Sequence, residues 1–225
     1  ELSLEEFNTS ELVASKLTEW GYQVTRGLGK TGVIGSLSKG DSPRTIGLRA
    51  DMDALPIEET TGLPWASTAP GKMHACGHDG HTTILLAAAK YIASPACQFN
   101  GTVHLIFQPA EEAIGGADLM IKDGLFEQFP CERIFGLHNM PGLPVGKLGF
   151  YAGNFMASAD TVKITITGYG GHGAHPERTV DPIVAGAALV MALQSIVARN
   201  VPPGETAVVS VGTFQAGIAS NVIPE

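Results

Sequence analysis

Between Glu5 and Trp20 apolar residues recur at helical spacing. Leu12, Val13, Leu17 and Trp20 share one face and Gly21 provides the stop, so the pattern predicts an amphipathic helix. Beyond it the period drops to two. Tyr22–Arg26, Val33–Leu37 and Thr45–Ala50 read as short strands separated by turns rich in Gly, Ser, Asp and Pro. A helix is predicted over Gly80–Ser94, a strand over Thr102–Gln108, a short helix over Ala117–Lys122 and a strand over Arg133–Leu137. After Gly153 the pattern restarts. Thr161–Thr167 alternates Val162, Ile164 and Ile166 with polar residues, Pro182–Ala198 reads as a helix, and Ala207–Phe214 reads as a further strand.

Strands alternating with helices predict an α/β fold, with a mixed, largely parallel sheet covered on both faces. Such sheets bind ligands beyond the carboxyl ends of their strands. A domain boundary is expected near Ser158, giving units of 1–157 and 158–225. Aromatic and aliphatic content is high enough to fill a core, since 44% of the residues are hydrophobic. Fourteen basic against twenty-two acidic residues give a formal charge of −8, which argues against nucleic-acid or anionic-membrane partners. Three cysteines, at 76, 97 and 131, point to a reducing, cytoplasmic setting rather than a disulfide scaffold. No run of eighteen apolar residues is present and no signal peptide is visible at Glu1, so no membrane span is expected.

Four polar segments fall at predicted strand ends or in the loop entering a helix. They are Leu48–Asp53, with carboxylates at Asp51 and Asp53; His74–His81; Gln108–Glu112; and Gly136–Asn139. Four of the seven histidines lie in them. Cys, His, Glu and His form a ligand set for divalent transition metals. Cys76 stands between Ala75 and Gly77 in a polar loop, unlike a core cysteine. His104, inside an apolar strand, reads as structural, and His74 and His81 read as supporting or helix-end residues rather than ligands. Two motifs fail. Gly29-Lys30-Thr31 lacks the glycine that a phosphate loop requires at position 24, where Val24 stands. Gly168-x-Gly170-x-x-Gly173 fits a dinucleotide fingerprint but has no helix opening directly behind it and no acidic partner near position 193.

The segments Gly47–Ile57, Met73–Thr82, Gln108–Glu112, Gly136–Asn139 and Ala219–Glu225 together resemble the di-metal amidohydrolase and aminoacylase family of metallopeptidases. The match is to the branch holding hippurate hydrolase, N-acyl-amino-acid amidohydrolases and auxin-conjugate hydrolases. The resemblance implies a zinc-exopeptidase-like catalytic domain with an inserted, smaller α+β lid and dimerisation domain. It implies two divalent ions per subunit, Mn2+ in the first place and Zn2+, Co2+ or Ni2+ as alternatives. By position, Cys76, His78, Glu112 and His138 match metal ligands and Glu111 the general base. Asp53 matches an acidic residue that orients a ligand, and His172 and Asn221 match residues that contact substrate, His172 across a homodimer. Related exopeptidases carry a ligating histidine where Asp51 stands. Family members extend past Glu225, where a fifth ligand, a histidine, is expected, and the family's opening helix is not evident. The implied reaction is hydrolysis of small N-acyl-amino acids. A dipeptidase of the same family, a cysteine-nucleophile amidase using Cys76 and a non-catalytic metal protein are the rival readings.

Overall fold

The computed structural model describes residues 1–112, 115–153 and 155–225. The chain forms two compact units, Glu1–Leu148 and Gly149–Glu225, divided ahead of the boundary expected near Ser158.

The first unit is built on a five-stranded sheet. Its strands are β1 (Gln23–Arg26), β2 (Val33–Lys39), β3 (Thr45–Asp51), β4 (Gly101–Gln108) and β5 (Arg133–Gly136), in the order β1-β2-β4-β3-β5. Pairings β1/β2 and β2/β4 are antiparallel, whereas β3/β4 and β3/β5 are parallel. The sheet is therefore mixed, with the parallel half on the β3 side. β4 is covered on both faces and its side chains sort by the two-residue period of a strand. Val103, Leu105 and Phe107 join a core with Val13, Ala14 and Leu17 of α1 (Phe7–Glu19) and with Leu85 and Ala89 of α2 (His78–Ala93). Ile106 faces the other way, onto Met120 of α3 (Gly116–Lys122) and Leu125 of the short α4 (Leu125–Gln128). On that face His104 meets Phe129 edge-on and Ser36 by a 2.8 Å hydrogen bond, the structural role its apolar strand suggests.

Parallel strands deliver their carboxyl ends to one edge. Asp51 of β3 lies opposite Gln108 of β4, and Arg49 lies opposite Gly136 of β5. The four polar segments continue from, or abut, these ends. Helix α2 begins at His78, two residues before the expected start, so His78 is part of the helix.

The second unit departs from expectation. Neither 161–167 nor 207–214 forms a strand. Alternation alone cannot make one: a strand exists only where a partner takes its N–H and C=O groups, and isolated pairings are marginal. Both segments instead supply side chains to α5 (Pro182–Asn200), where Ile166 and Phe214 fill the space above Gly186. Asp181 caps that helix through the N–H of Ile183 at 2.8 Å. The remaining ladder pairs β6 (Gly171–His172) with β7 (Val222–Ile223). The glycines of the failed dinucleotide motif serve this close approach. A side chain at Gly168 would collide with the Val180 carbonyl, and one at Gly170 with the Ile223 carbonyl. No unbroken run of eighteen apolar residues occurs, but by length and composition alone α5 is long and apolar enough to cross a membrane, with mean hydropathy 1.6 over eighteen residues.

Candidate metal centre

Four chain segments converge beyond the parallel strand ends of the first unit. Gly77, just ahead of α2, has φ of +80°, and a Cβ there would overlap the Asn139 side chain. Glycine alone permits both the left-handed turn and that approach. The turn places Cys76 and His78 on either side of it, with Cys76 Sγ 3.4 Å from His138 Nε2. His78 is fully buried, and its ring sits among carboxyl groups. Asp53 Oδ1 stands 3.3 Å from its Nδ1, while Asp51, Glu112 and Glu111 stand 3.6, 3.7 and 3.9 Å from its Nε2.

Asp53 organises the centre. Besides its contact with His78 it accepts the backbone N–H groups of Glu111 and Glu112, both at 3.0 Å, and the Ser3 hydroxyl at 2.7 Å. Burial pushes its carboxyl upward, but the hydrogen bonds from His78, Glu112, Ser3 and Glu111 outweigh that and hold it well below the ordinary carboxylate range. Its hydrogen bond fixes the proton of His78 on Nδ1. The other nitrogen, Nε2, is buried and makes no hydrogen bond, and Glu112 Oε1 nearby is equally bare. Bare buried acceptors facing one another are costly unless something binds them. A lone-pair nitrogen, a carboxylate oxygen, a thiol and a second imidazole are the ligands a divalent transition metal takes. Cys76, His78 and His138 bring one such atom each within 4.8 Å of one another, and so do His78, Glu111 and Glu112. The residues present therefore fit a metal.

Sequence reasoning set Asp51 and His81 apart from the ligands, and they form a support layer. Asp51 accepts from His81 Nδ1 at 2.7 Å and pairs with Arg49 at 2.8 Å. Arg49 in turn donates to Gln108 at 2.8 Å. His81 Nε2 accepts the backbone N–H of Asn139 at 2.9 Å, anchoring the residue next to His138, and the Asn139 side-chain oxygen lies against the same ring nitrogen. The signal for His81 was available, because residues three apart share a helix face and His81 follows His78 by three. Asp51, His78 and His81 also meet the geometric measure for an ion, but both ends of the His81 ring are already engaged. Asn139 lies in the Gly136–Asn139 segment already singled out, whereas nothing local in the sequence marks Ser3, whose contact runs across 50 residues.

Glu111 and Glu112 differ in exposure, 42% against 20% for their side chains. Cys76 is under carboxylate influence. Burial, then a hydrogen bond to Glu112 and the charges of Glu112, Glu111 and Asp51, push its thiol up to about 11. An activated cysteine nucleophile needs the opposite shift. His172 and Asn221 lie in the second unit, where β6 and β7 run their backbones side by side. Gly173 N–H donates to the Asn221 carbonyl at 2.8 Å.

The chain is similar to several known proteins. The chain is 56% identical over its whole length to a hippurate hydrolase of Campylobacter jejuni, of which it covers 58%. It is 45% identical to an N-acetyl-L-cysteine deacetylase of Bacillus subtilis, again over the whole chain and 54% of that protein. Among solved structures it matches the YXEP protein of Bacillus subtilis, described as a dinuclear metal-binding peptidase. The TM-score is 0.68 and the identity 36%, covering 100% of this chain and 57% of that one. The chain thus spans a little over half the length of these relatives. The profile of Peptidase family M20/M25/M40 matches residues 47–222, which hold all four converging segments, and the chain belongs to that family.

Proposed function

We propose that this chain is part of a metal-dependent amidohydrolase that cleaves the amide bond of small N-acyl-amino acids. Cys76, His78, Glu112 and His138 would hold two divalent ions, with Mn2+ favoured. The single observation that carries this reading is the pair of bare, buried atoms 3.7 Å apart, His78 Nε2 and Glu112 Oε1. The printed names of the 56% and 45% identical relatives support the substrate class. When bound, such ions lower the pKa of a water they hold from near 15.7 to about 7 and polarise a carbonyl.

The chain's own groups divide the remaining work. Asp53 keeps the His78 proton on Nδ1 and fixes the backbone under both glutamates. Glu112, the more buried, is the ligand. Glu111 is the more exposed and stands on the open side, free to take a proton from the attacking water and hand it to the leaving nitrogen. Two adjacent carboxylates thereby serve different ends because their surroundings differ. Residues 158–225 would belong to a lid through which two subunits pair as a homodimer, with His172 and Asn221 reaching substrate.

The test is the full-length protein loaded with Mn2+ and assayed on N-benzoyl- and N-acetyl-amino acids against free dipeptides, with and without chelator. Chelator-sensitive turnover of the acylated substrates is expected. Preferential cleavage of dipeptides would replace this reading with the dipeptidase one.

A further inference from the structure

Three consecutive backbone N–H groups after β4 end on carboxyl oxygens. Asp53 takes those of Glu111 and Glu112. The first, on Ala110, goes to Oε1 of Glu6 at 2.9 Å, across 104 residues of chain. Ala110 is a position that needs holding. Its φ is +50°, in the left-handed region that disfavours any residue with a Cβ.

Glu6 is an unusual residue to find there. It occupies the cap position of α1 but makes no side-chain cap hydrogen bond. The Glu1 carboxyl serves that helix instead, accepting the N–H groups of Asn8 at 2.9 Å and Thr9 at 3.0 Å. Glu6 is released from the usual role of its position and is fully buried. Its second oxygen accepts the Thr31 hydroxyl at 2.5 Å. Thr31 closes the Gly29-Lys30-Thr31 segment, which carries no phosphate chemistry and here finds its use. A buried carboxyl is costly unless its oxygens are hydrogen-bonded. Both are, and one bond goes to the residue directly before Glu111.

We propose that Glu6 is a positioning residue: its carboxyl clamps the left-handed Ala110 turn and thereby sets where the Glu111 side chain stands. Glu6 touches no substrate and acts only through Glu111, so its effect on turnover rests on the role given to Glu111 above. The clamp itself is independent of that role. Misplacing a reacting group by about an ångström can cost about 10²-fold in rate.

The experiment compares wild type with Glu6→Ala, Glu6→Gln, Thr31→Val and Glu6→Ala/Ala110→Gly in the full-length protein loaded with Mn2+. Amide hydrogen exchange over 108–112 and steady-state kinetics are read together. Glu6→Ala is expected to speed exchange at Ala110 by about tenfold or more, the size expected when a buried donor loses its partner. Exchange in β1 should not change. Its kcat should fall by about 10- to 10²-fold with KM little altered. Glu6→Gln keeps an acceptor for the Ala110 N–H and should restore both. Thr31→Val leaves Glu6 in place without its second bond and should shift both readouts less, in the same direction. Ala110→Gly removes the strain and should recover part of the kcat lost in Glu6→Ala.

Unchanged exchange at Ala110 in both Glu6→Ala and Thr31→Val would overturn the clamp. So would acceleration spread evenly over the whole chain with no rescue by glutamine. If wild type proves inert on N-acyl-amino acids while exchange behaves as expected, the clamp stands and the functional reading falls.

Discussion

Asp53 stands 3.3 Å from Nδ1 of His78, and this contact decides which nitrogen of the ring faces the cluster. A carboxylate behind a ligating histidine fixes its tautomer and raises its basicity. Asp53→Asn keeps the shape but loses the charge and the certainty of the proton's place. Metal affinity is expected to fall by about 10- to 100-fold, the usual effect of losing such a partner. Competition with a chromophoric chelator measures it; unchanged affinity would mean that Asp53 does not set the ring.

Asp53 also makes an acid-side prediction. Its carboxyl is held well below the ordinary value of 3.8 in the folded protein. The stability this contributes is fully present above the unfolded value and is lost as pH falls through the folded one. Metal-free wild type should therefore lose more stability than Asp53→Asn as pH drops below about 4. Urea midpoints taken at several pH values would show the gap closing, and a constant gap would contradict the assignment.

Glu111→Gln should leave metal content intact and cut kcat by about 10²-fold or more, the range of a positioned general acid–base. Metal analysis of the purified variant beside its turnover decides the matter. A metal-loaded variant with near-normal turnover would move the proton carrier elsewhere.

Cys76→Ser separates ligand from nucleophile. A hydroxyl is a poor substitute for thiolate toward a transition metal, so bound metal and activity should fall together. Full metal content with no activity would favour the nucleophile instead.

His104 gives a check on the core. Burial lowers its pKa below the usual 6.5. The unfolded chain takes up the proton first, so stability is present above 6.5 and declines as pH falls through the folded value. His104→Gln, which keeps a polar group near Ser36, should flatten that decline relative to wild type in thermal scans between about pH 7 and 5. Parallel curves would place the pH dependence on other histidines.

The sheet of the first unit was legible because its strands carry local marks: alternation, flanking turn residues and polar clusters at the strand ends. Local marks placed Glu112 and His138 just past strand ends and Cys76 and His78 in the loop entering a helix, while the family resemblance singled out these four as ligands. What escaped was held by contacts distant in sequence. Glu6 reads as one more acidic residue of an amphipathic helix, and only the fold shows its oxygens spent on Thr31 and Ala110. Segments 161–167 and 207–214 have the composition of strands but no ladder, because pairing is a property of two segments and alternation is a property of one.

The Glu6–Ala110 bond also has a consequence for biosynthesis. The two residues are 104 positions apart, so the ribosome completes Glu6 long before its partner exists. At roughly 5–20 residues per second the interval is about 5–20 s. Throughout it α1 lacks the β4 residues Val103, Leu105 and Phe107 on which it packs. The acidic turn that ends on Glu111 and Glu112 can be set only when β4 has emerged and the first helix folds back over it. The metal-binding edge is thereby completed only after β4 has been synthesised.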